Sequence, residues 1–296
     1  MQDLFATYRR TIEQALEKFL RKKQRELAYV NLWGSDVCTR MRSFALSGKM
    51  IRGCLTILGY EMFGKKTSHE IIKAASAMEI LQSSLLIHDD IMDRDTLRRG
   101  MDTIFTQYEK LGKQQNVPDS RHFGESMGIC AGDIGFFFAF ELLSDTPAIL
   151  SLVVKELTKV GVAQMQDVSI GHERTEPSET ALLNLYRYKT ARYTFSLPLM
   201  VGATLAGQPK KIIKTLETVG EDLGIIFQLV DDTLDVEGDL REGKKTLLQF
   251  YGEKRTTKKI SDLSKHTEHL IAELPIDKQF TRILLELLEY NQKRSK

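Results

Sequence analysis

Residues 69–93 read His69-Glu70-Ile71-Ile72-Lys73-Ala74-Ala75-Ser76-Ala77-Met78-Glu79-Ile80-Leu81-Gln82-Ser83-Ser84-Leu85-Leu86-Ile87-His88-Asp89-Asp90-Ile91-Met92-Asp93. The stretch holds neither glycine nor proline and is apolar at three- and four-residue steps, so it spells a long helix that ends in three aspartates. Outward from it the period is helical nearly everywhere. Toward the N-terminus Leu4, Tyr8, Ile12, Leu16, Phe19 and Leu27 recur at helical steps with Arg9, Arg10, Lys18, Arg21 and Lys22 between them. The pattern returns over roughly 35–46, 50–63, 101–111, 122–143, 148–169, 179–206, 210–237, 247–272 and 276–292. The breaks, at Gly64–Ser68, Gly112–Ser120, Gly171–Glu179, Gly207–Pro209, Gly238–Lys245 and Leu274-Pro275, are short and rich in ordinary turn residues. None has the length or composition of an interdomain linker, and there is no alternating strand run or solenoid repeat. Six prolines in 296 residues, the first at Pro118, fit long helices, whose interiors exclude proline. The expectation is an all-α protein, one helical domain over residues 1–296 with about ten helices.

Charge and composition narrow the function. Forty-two Lys and Arg against forty Asp and Glu leave a net charge of +2, which gives no global reason to expect nucleic acid or an anionic membrane as partner. The strongest apolar run, Ile134–Leu143, is broken by Glu141 and falls short of the ~20 residues of a transmembrane helix. Asp3, Arg9, Arg10 and Glu13 sit where a secretion signal would need an apolar core. Cys38, Cys54 and Cys130 lack CxxC spacing and read as reduced core thiols, so the expected location is cytoplasmic.

The aspartates at the end of the opening stretch have a counterpart, Asp231-Asp232-Thr233-Leu234-Asp235. Random placement of the 18 aspartates would give about 0.07 such DDxxD strings per chain, so two are not chance. Asp89 and Asp93, like Asp231 and Asp235, are four apart, which on a helix stacks two carboxylates on one face about 6 Å apart. Each set follows an apolar run, Ser83–Ile87 or Ile225–Val230, so the repulsion is costly unless a cation is bound. Clustered oxygen ligands without His or Cys spacing indicate Mg²⁺, which keeps waters and is completed by substrate phosphates. Two such clusters suit a diphosphate held through several metal ions. The loop spacing of an EF-hand is absent. Gly48-Lys49-Met50-Ile51-Arg52, Arg98-Arg99-Gly100, Lys189-Thr190 and Gly243-Lys244-Lys245-Thr246 supply the cations a diphosphate needs.

Together these strings carry a family resemblance. Leu86–Asp93 followed by Leu97-Arg98-Arg99-Gly100, and Phe227–Asp235, resemble the two aspartate-rich motifs of the trans-isoprenyl diphosphate synthases. Gly48-Lys49 with Arg52, Ala131-Gly132-Asp133, Gln164 with Asp167, Lys189-Thr190-Ala191 and Gly243–Thr246 match the same family in order, over roughly residues 35–250. The resemblance implies an isoprenoid synthase type I fold, all-α around a deep central cavity, in a homodimer. It also implies Mg²⁺-dependent condensation of isopentenyl diphosphate with an allylic diphosphate (dimethylallyl, geranyl or farnesyl). Asp89, Asp93 and Asp231 would bind Mg²⁺, with Asp90, Asp232 and Asp235 supporting. Arg98, Lys189, Thr190, Gln228 and Lys244 would hold the allylic diphosphate, and Lys49, Arg52, Gln82 and Arg99 the isopentenyl diphosphate. Many relatives have histidine where Gln82 stands, and an amide can still donate to phosphate. The released diphosphate would act as base, leaving His88 to orient its helix or a carboxylate.

Product length depends on what lies below the first motif. Leu85, Ser84, Leu81, Met78 and Ala77 fall at ~6 to ~18 Å depth along that helix face. Ser84 is small where shorter-product relatives often place an aromatic, which favours a twenty-carbon product, with Leu81 or the Phe136-Phe137-Phe138 run as floor. The segment Val236–Glu242 is shorter than the corresponding loop of relatives, so either Lys244 or Lys245 would meet the diphosphate. A class I terpene cyclase would mix Asn, Ser or Thr and Glu in its second motif, and a non-catalytic subunit would have degraded ones; this chain has neither. His266-Thr267-Glu268-His269 lacks zinc-protease spacing and reads as solvated helix surface, and Lys293–Lys296 as a frayed tail.

Overall fold

A computed structural model describes residues 1–172, 176–238 and 244–294. Its helices are α1 (Gln2–Leu27), α2 (Leu32–Leu46), α3 (Ile51–Glu61), α4 (His69–Met92), α5 (Ile104–Gln114), α6 (Ser120–Leu143) and α7 (Pro147–His172). They continue with α8 (Glu179–Leu185), a π-helical segment (Tyr186–Ser196), α9 (Leu197–Leu205), α10 (Lys210–Leu234), α11 (Leu247–Ala272) and α12 (Lys278–Lys293). The all-α expectation holds. The local signals for the boundaries are side chains that accept the first free backbone N–H groups. Ser68 caps α4, Asp119 caps α6, Ser178 caps α8, and Thr246 with Gln249 forms a capping box on α11. Proline marks starts too: Pro147 opens α7, Pro198 lies in the first turn of α9, and Pro209 precedes α10.

Two differences from the sequence reading have physical causes. The 179–206 pattern is one helical path in which α8 widens into the π segment before α9, so a single periodic run becomes three elements. The short strands β1 (Leu97–Arg98) and β2 (Met101–Asp102) form a hairpin that periodicity could not show. Its turn puts Arg99 (φ 54) and Gly100 (φ 75) both in the left-handed region, the requirement of a type I′ turn.

The chain packs as two compact units, interleaved in sequence. Asp3–Cys54 and Ser68–Pro147 make one. There α6 lies on α4 and α5, and Ile12, Leu16 and Leu20 of α1 are fully buried. The approach is close because a Cβ on Gly132 would fall 2.2 Å from Nε2 of His88. As a whole, α6 is long and apolar enough to cross a membrane, unlike the shorter Ile134–Leu143 run. It packs on α4 and α5, and 44% of that apolar stretch is buried.

The second unit holds Met1–Gln2, Leu55–Thr67 and Ala148–Lys296. Here α10 is the hub, packed against the π segment, α9, α11 and α12. Ile170, Leu182, Leu185, Tyr186, Ala191, Ile225, Leu229 and Leu247 form one buried cluster. Each aliphatic side chain in it contributes about 1.5–3 kcal/mol of burial.

Candidate active site

The first aspartate set ends α4. Asp93 is the C-cap, its N–H donating to the Asp89 carbonyl at 2.8 Å. Asp90 is fully buried, with Oδ1 accepting from Nε of Arg98 and Oδ2 buried without a hydrogen-bond partner. Burial pushes its carboxyl up to about 6, against the pull of Arg98. The α4–β1 connection is held by Thr103, whose Oγ1 donates to the Asp95 carbonyl at 2.9 Å, so Arg98 arrives beside Asp90. His88 turns toward α6, with Nε2 3.1 Å from the Ile129 carbonyl, 3.5 Å from Asp133, and its ring on Phe136.

The residues assigned to isopentenyl diphosphate lie in the same unit. Ser47-Gly48-Lys49 leads into α3, Lys49 is exposed, and Arg52 and Gln82 are half-buried. From the hairpin turn, Nη1 of Arg99 donates to Oγ of Ser47 at 3.2 Å. Sequence reasoning missed Glu79 of α4, which is 5% exposed and accepts from the Gly53 N–H at 2.6 Å. A glutamate on a helix reads as surface unless its distant partner is known.

In the second unit, Lys189 and Thr190 ride on the π segment. Lys189 donates to Asp167 of α7, which joins two of the recognised motifs. Oγ1 of Thr190 donates to Oε1 of Gln228 at 3.3 Å, and Nε2 of Gln228 to Oδ1 of Asp232 at 3.1 Å. Oδ2 of Asp232 accepts from the hydroxyl of Tyr186, which itself accepts from the Leu247 N–H at 3.0 Å. Asp232 is thus 3% exposed and bound on both oxygens, anchoring the motif to the π segment and α11. Asp231 is partly exposed and Asp235 exposed at the end of α10. Tyr186 was legible only as a core aromatic. A Cβ on Gly224 would fall 2.2 Å from Cα of Ala191, so glycine there lets α10 lie directly on the Lys189–Thr190 turn.

Three sequence expectations need correction. Arg294 is not frayed: Nη2 donates to Oδ1 of Asp231 at 2.6 Å, and its guanidinium lies 4.0 Å from the centroid of the Phe227 ring. The remainder of that tail, Ser295 and Lys296, is outside the described residues. His266 is not simply solvated, since its Nδ1 meets Oδ2 of Asp222 at 2.7 Å and Thr267 is fully buried. Cys130 is exposed rather than in the core, while Cys38 and Cys54 are buried. In the Phe136–Phe138 run, Phe137 is 66% exposed, whereas Phe138 is buried and packs edge-on against Phe19. Ser84 and Leu81 are fully buried, Ser84 against Gly135 of α6. Lys245 donates to Glu176 at 2.6 Å and Lys244 is exposed. Asp239–Gly243, in the shortened loop, lies outside the described residues.

The donor set suits Mg²⁺. Both aspartate sets sit at helix C-termini, where the macrodipole already disfavours anions and favours cations. Each is partly neutralised by an arginine, Arg98 on Asp90 and Arg294 on Asp231, and Oδ2 of Asp90 is unpartnered. Among the described residues no three His, Cys, Asp or Glu side chains converge as a ready-made cage. Mg²⁺ keeps waters and takes substrate phosphates as ligands. Arg294 is paired with Asp231, so if Asp231 is a Mg²⁺ ligand, Arg294→Ala is expected to tighten Mg²⁺ binding a few-fold, about 1 kcal/mol for a partly exposed pair. Titration calorimetry with Mg²⁺ and inorganic diphosphate reads this; unchanged affinity refutes it.

Residues 37–275 match the sequence model of polyprenyl synthetases. The chain belongs to the polyprenyl synthetase family. It is 31% identical over 221 residues to a short chain isoprenyl diphosphate synthase of Methanocaldococcus jannaschii, covering 69% of this chain and 62% of the relative. It is 31% identical over 225 residues to a geranylgeranyl diphosphate synthase of Saccharolobus solfataricus, with 69% and 62% covered. The chain therefore spans less than two thirds of these relatives' length. A crystal structure of a Corynebacterium glutamicum geranylgeranyl pyrophosphate synthase, complexed with isoprenyl diphosphate and magnesium, superposes with a TM-score of 0.87 at 26% identity, covering 97% of this chain and 98% of that one.

Proposed function

We propose that the protein is a prenyltransferase that condenses isopentenyl diphosphate head-to-tail with an allylic diphosphate, dimethylallyl, geranyl or farnesyl, giving all-trans geranylgeranyl diphosphate. The observation that carries this is two aspartate sets at the C-terminal ends of buried helices, each drawing in an arginine. Family membership and the named functions of the relatives support it.

Asp89, Asp93 and Asp231 are the proposed Mg²⁺ ligands, with Asp90, Asp232 and Asp235 in support. Bound Mg²⁺ would neutralise charge on the allylic diphosphate as its C–O bond breaks. Arg98, Lys189 and Lys244 donate to that diphosphate, so positive charge stands where negative charge develops. The Thr190–Gln228–Asp232–Tyr186 chain fixes the amide of Gln228 for the same anion. Lys49, Arg52, Gln82 and Arg99 hold isopentenyl diphosphate so that its double bond attacks the allylic carbon; a C–C bond forms and the electron pair leaves with the diphosphate. A proton then passes to the released diphosphate, restoring a double bond.

A second copy of the chain is the proposed cover for the exposed apolar residues Ile129 and Phe137 of α6. The free thiols fit a cytoplasmic setting. Chromatography of dephosphorylated products from labelled isopentenyl diphosphate with each allylic primer tests the proposal. A twenty-carbon alcohol is expected. Dominant fifteen- or thirty-carbon alcohols overturn the product length, and no incorporation overturns the condensation.

A further inference from the structure

We propose that Ser47 is a positioning residue whose hydroxyl seats the guanidinium of Arg99 on the turn before α3, so that Arg99, Lys49 and Arg52 meet one diphosphate together. This role rests on the proposed reading of those three cations as ligands of isopentenyl diphosphate. Two separate segments supply them. Ser47-Gly48-Lys49-Met50 joins α2 to α3 and carries Lys49, which is exposed, with the half-buried Arg52 following in the first turn of α3. Arg99 comes from the turn of the β1–β2 hairpin. Each turn holds a non-glycine residue in the left-handed region, Met50 and Arg99 both at φ 54. A backbone of that kind persists where its surroundings hold it.

The contacts between the two segments form a seat for the guanidinium. Nη1 of Arg99 donates to Oγ of Ser47 at 3.2 Å, across 52 positions of the chain. The Ser47 hydroxyl has a single hydrogen, and it donates that to the Phe44 carbonyl at 2.7 Å, in the last turn of α2. Its rotation is thereby set, and its oxygen is left to accept from Arg99. Gly48 shapes the next part of the seat. A Cβ there would stand 3.1 Å from Nη1 and 3.5 Å from Nη2 of Arg99, so the guanidinium lies over bare backbone. The Phe44 ring closes it, with its centroid 6.0 Å from the guanidinium carbon. Ser47 engages one N–H of the fork and leaves the others for a phosphate. Arg99 is exposed, and an exposed arginine with no seat samples many rotamers that a ligand must then freeze. Held against Ser47 and Gly48, it is ordered before the diphosphate arrives.

Ser47→Ala removes the acceptor and keeps the backbone. The expected result is a rise of roughly fivefold in KM for isopentenyl diphosphate, with KM for farnesyl diphosphate and the melting temperature close to wild type. Calorimetric titration with isopentenyl diphosphate alone should show the same loss of affinity, and Ser47→Thr, which restores the hydroxyl, should recover it. An unchanged KM for isopentenyl diphosphate in Ser47→Ala overturns the proposal. So does an equal rise for both substrates, which a merely structural role would give, or a Ser47→Thr variant no better than Ser47→Ala. Arg99→Lys, measured alongside, separates two failures. If it leaves KM for isopentenyl diphosphate unchanged, the reading of Arg99 as a ligand is wrong; if it raises KM while Ser47→Ala does not, the role of Ser47 is wrong. Should Ser47→Ala fail to fold, Gly48→Ala disturbs the same seat with the hydroxyl intact. A KM rise confined to isopentenyl diphosphate is then expected, while no rise, or one shared by both substrates, refutes the role.

Discussion

Asp89→Asn and Asp231→Asn are each expected to lower kcat/KM by about a thousandfold or more, roughly 4 kcal/mol of transition-state stabilisation, at saturating Mg²⁺. Asparagine keeps the shape and one oxygen but loses the charge that a hard divalent cation selects. Neither side chain is buried, so the fold should be retained and the melting temperature should move little. Asp231→Asn also frees Arg294 from its partner, leaving a cation with no carboxylate to offset it at the end of α10. Asp90→Asn provides the contrast. Asp90 is fully buried against Arg98, so its loss should cost stability as well as rate. Steady-state rates with farnesyl and isopentenyl diphosphates, read beside thermal melts, check all three. Wild-type kcat/KM in Asp89→Asn would remove the residue from the metal site.

The helices were legible because periodicity is local. Ser68, Asp119, Ser178 and Thr246 each stand where a run of apolar spacing begins, and the structure starts α4, α6, α8 and α11 there. The aspartate sets were legible for the same reason, since the side chains that define them are four residues apart. What escaped has its cause elsewhere in the chain. The π segment widens where Gly224 of α10 meets Ala191, a contact no window around 186–196 contains. Glu79 finds Gly53 across 26 positions, Tyr186 finds Asp232 across 46, and Arg294 finds Asp231 across 63. His266 read as surface because Asp222, its partner, lies on another helix. A charged residue on a helix is polar in pattern whatever it touches, so periodicity places such groups outside by default.

The same blindness hid the group that fixes the π segment, and its removal is expected to be the most destabilising single change outside the apolar core. Arg192 is 7% exposed and forms two parallel bonds of 2.9 Å each to Glu156 of α7, while Nη1 donates to Glu217 and reaches Glu221 at 3.4 Å on α10. One guanidinium therefore joins three carboxylates from two helices to the segment that carries Lys189 and Thr190. Arg192→Met keeps much of the volume and leaves Glu156, 6% exposed, paired with Lys159 at 2.7 Å. Breaking a buried ion pair from one side costs about 3–5 kcal/mol. For a chain of this size that is on the order of ten degrees in melting temperature. Burial alone would raise the carboxyl of Glu156, but its hydrogen bonds from Arg192 and Lys159 outweigh burial and hold it below the ordinary value of 4.5. A folded pKa below the unfolded one gives stability that is present above pH 4.5 and lost as pH falls through the folded value. Without Arg192 burial regains the upper hand and that acid-side dependence weakens. The gap between wild type and variant should be widest near neutral pH and narrow below pH 4.5, as melts across that range would show. A gap that stays constant with pH would mean that Arg192 contributes packing and not charge. Activity at a temperature where both are folded should fall as well, because Lys189 and Thr190 stand within one turn of the lost anchor.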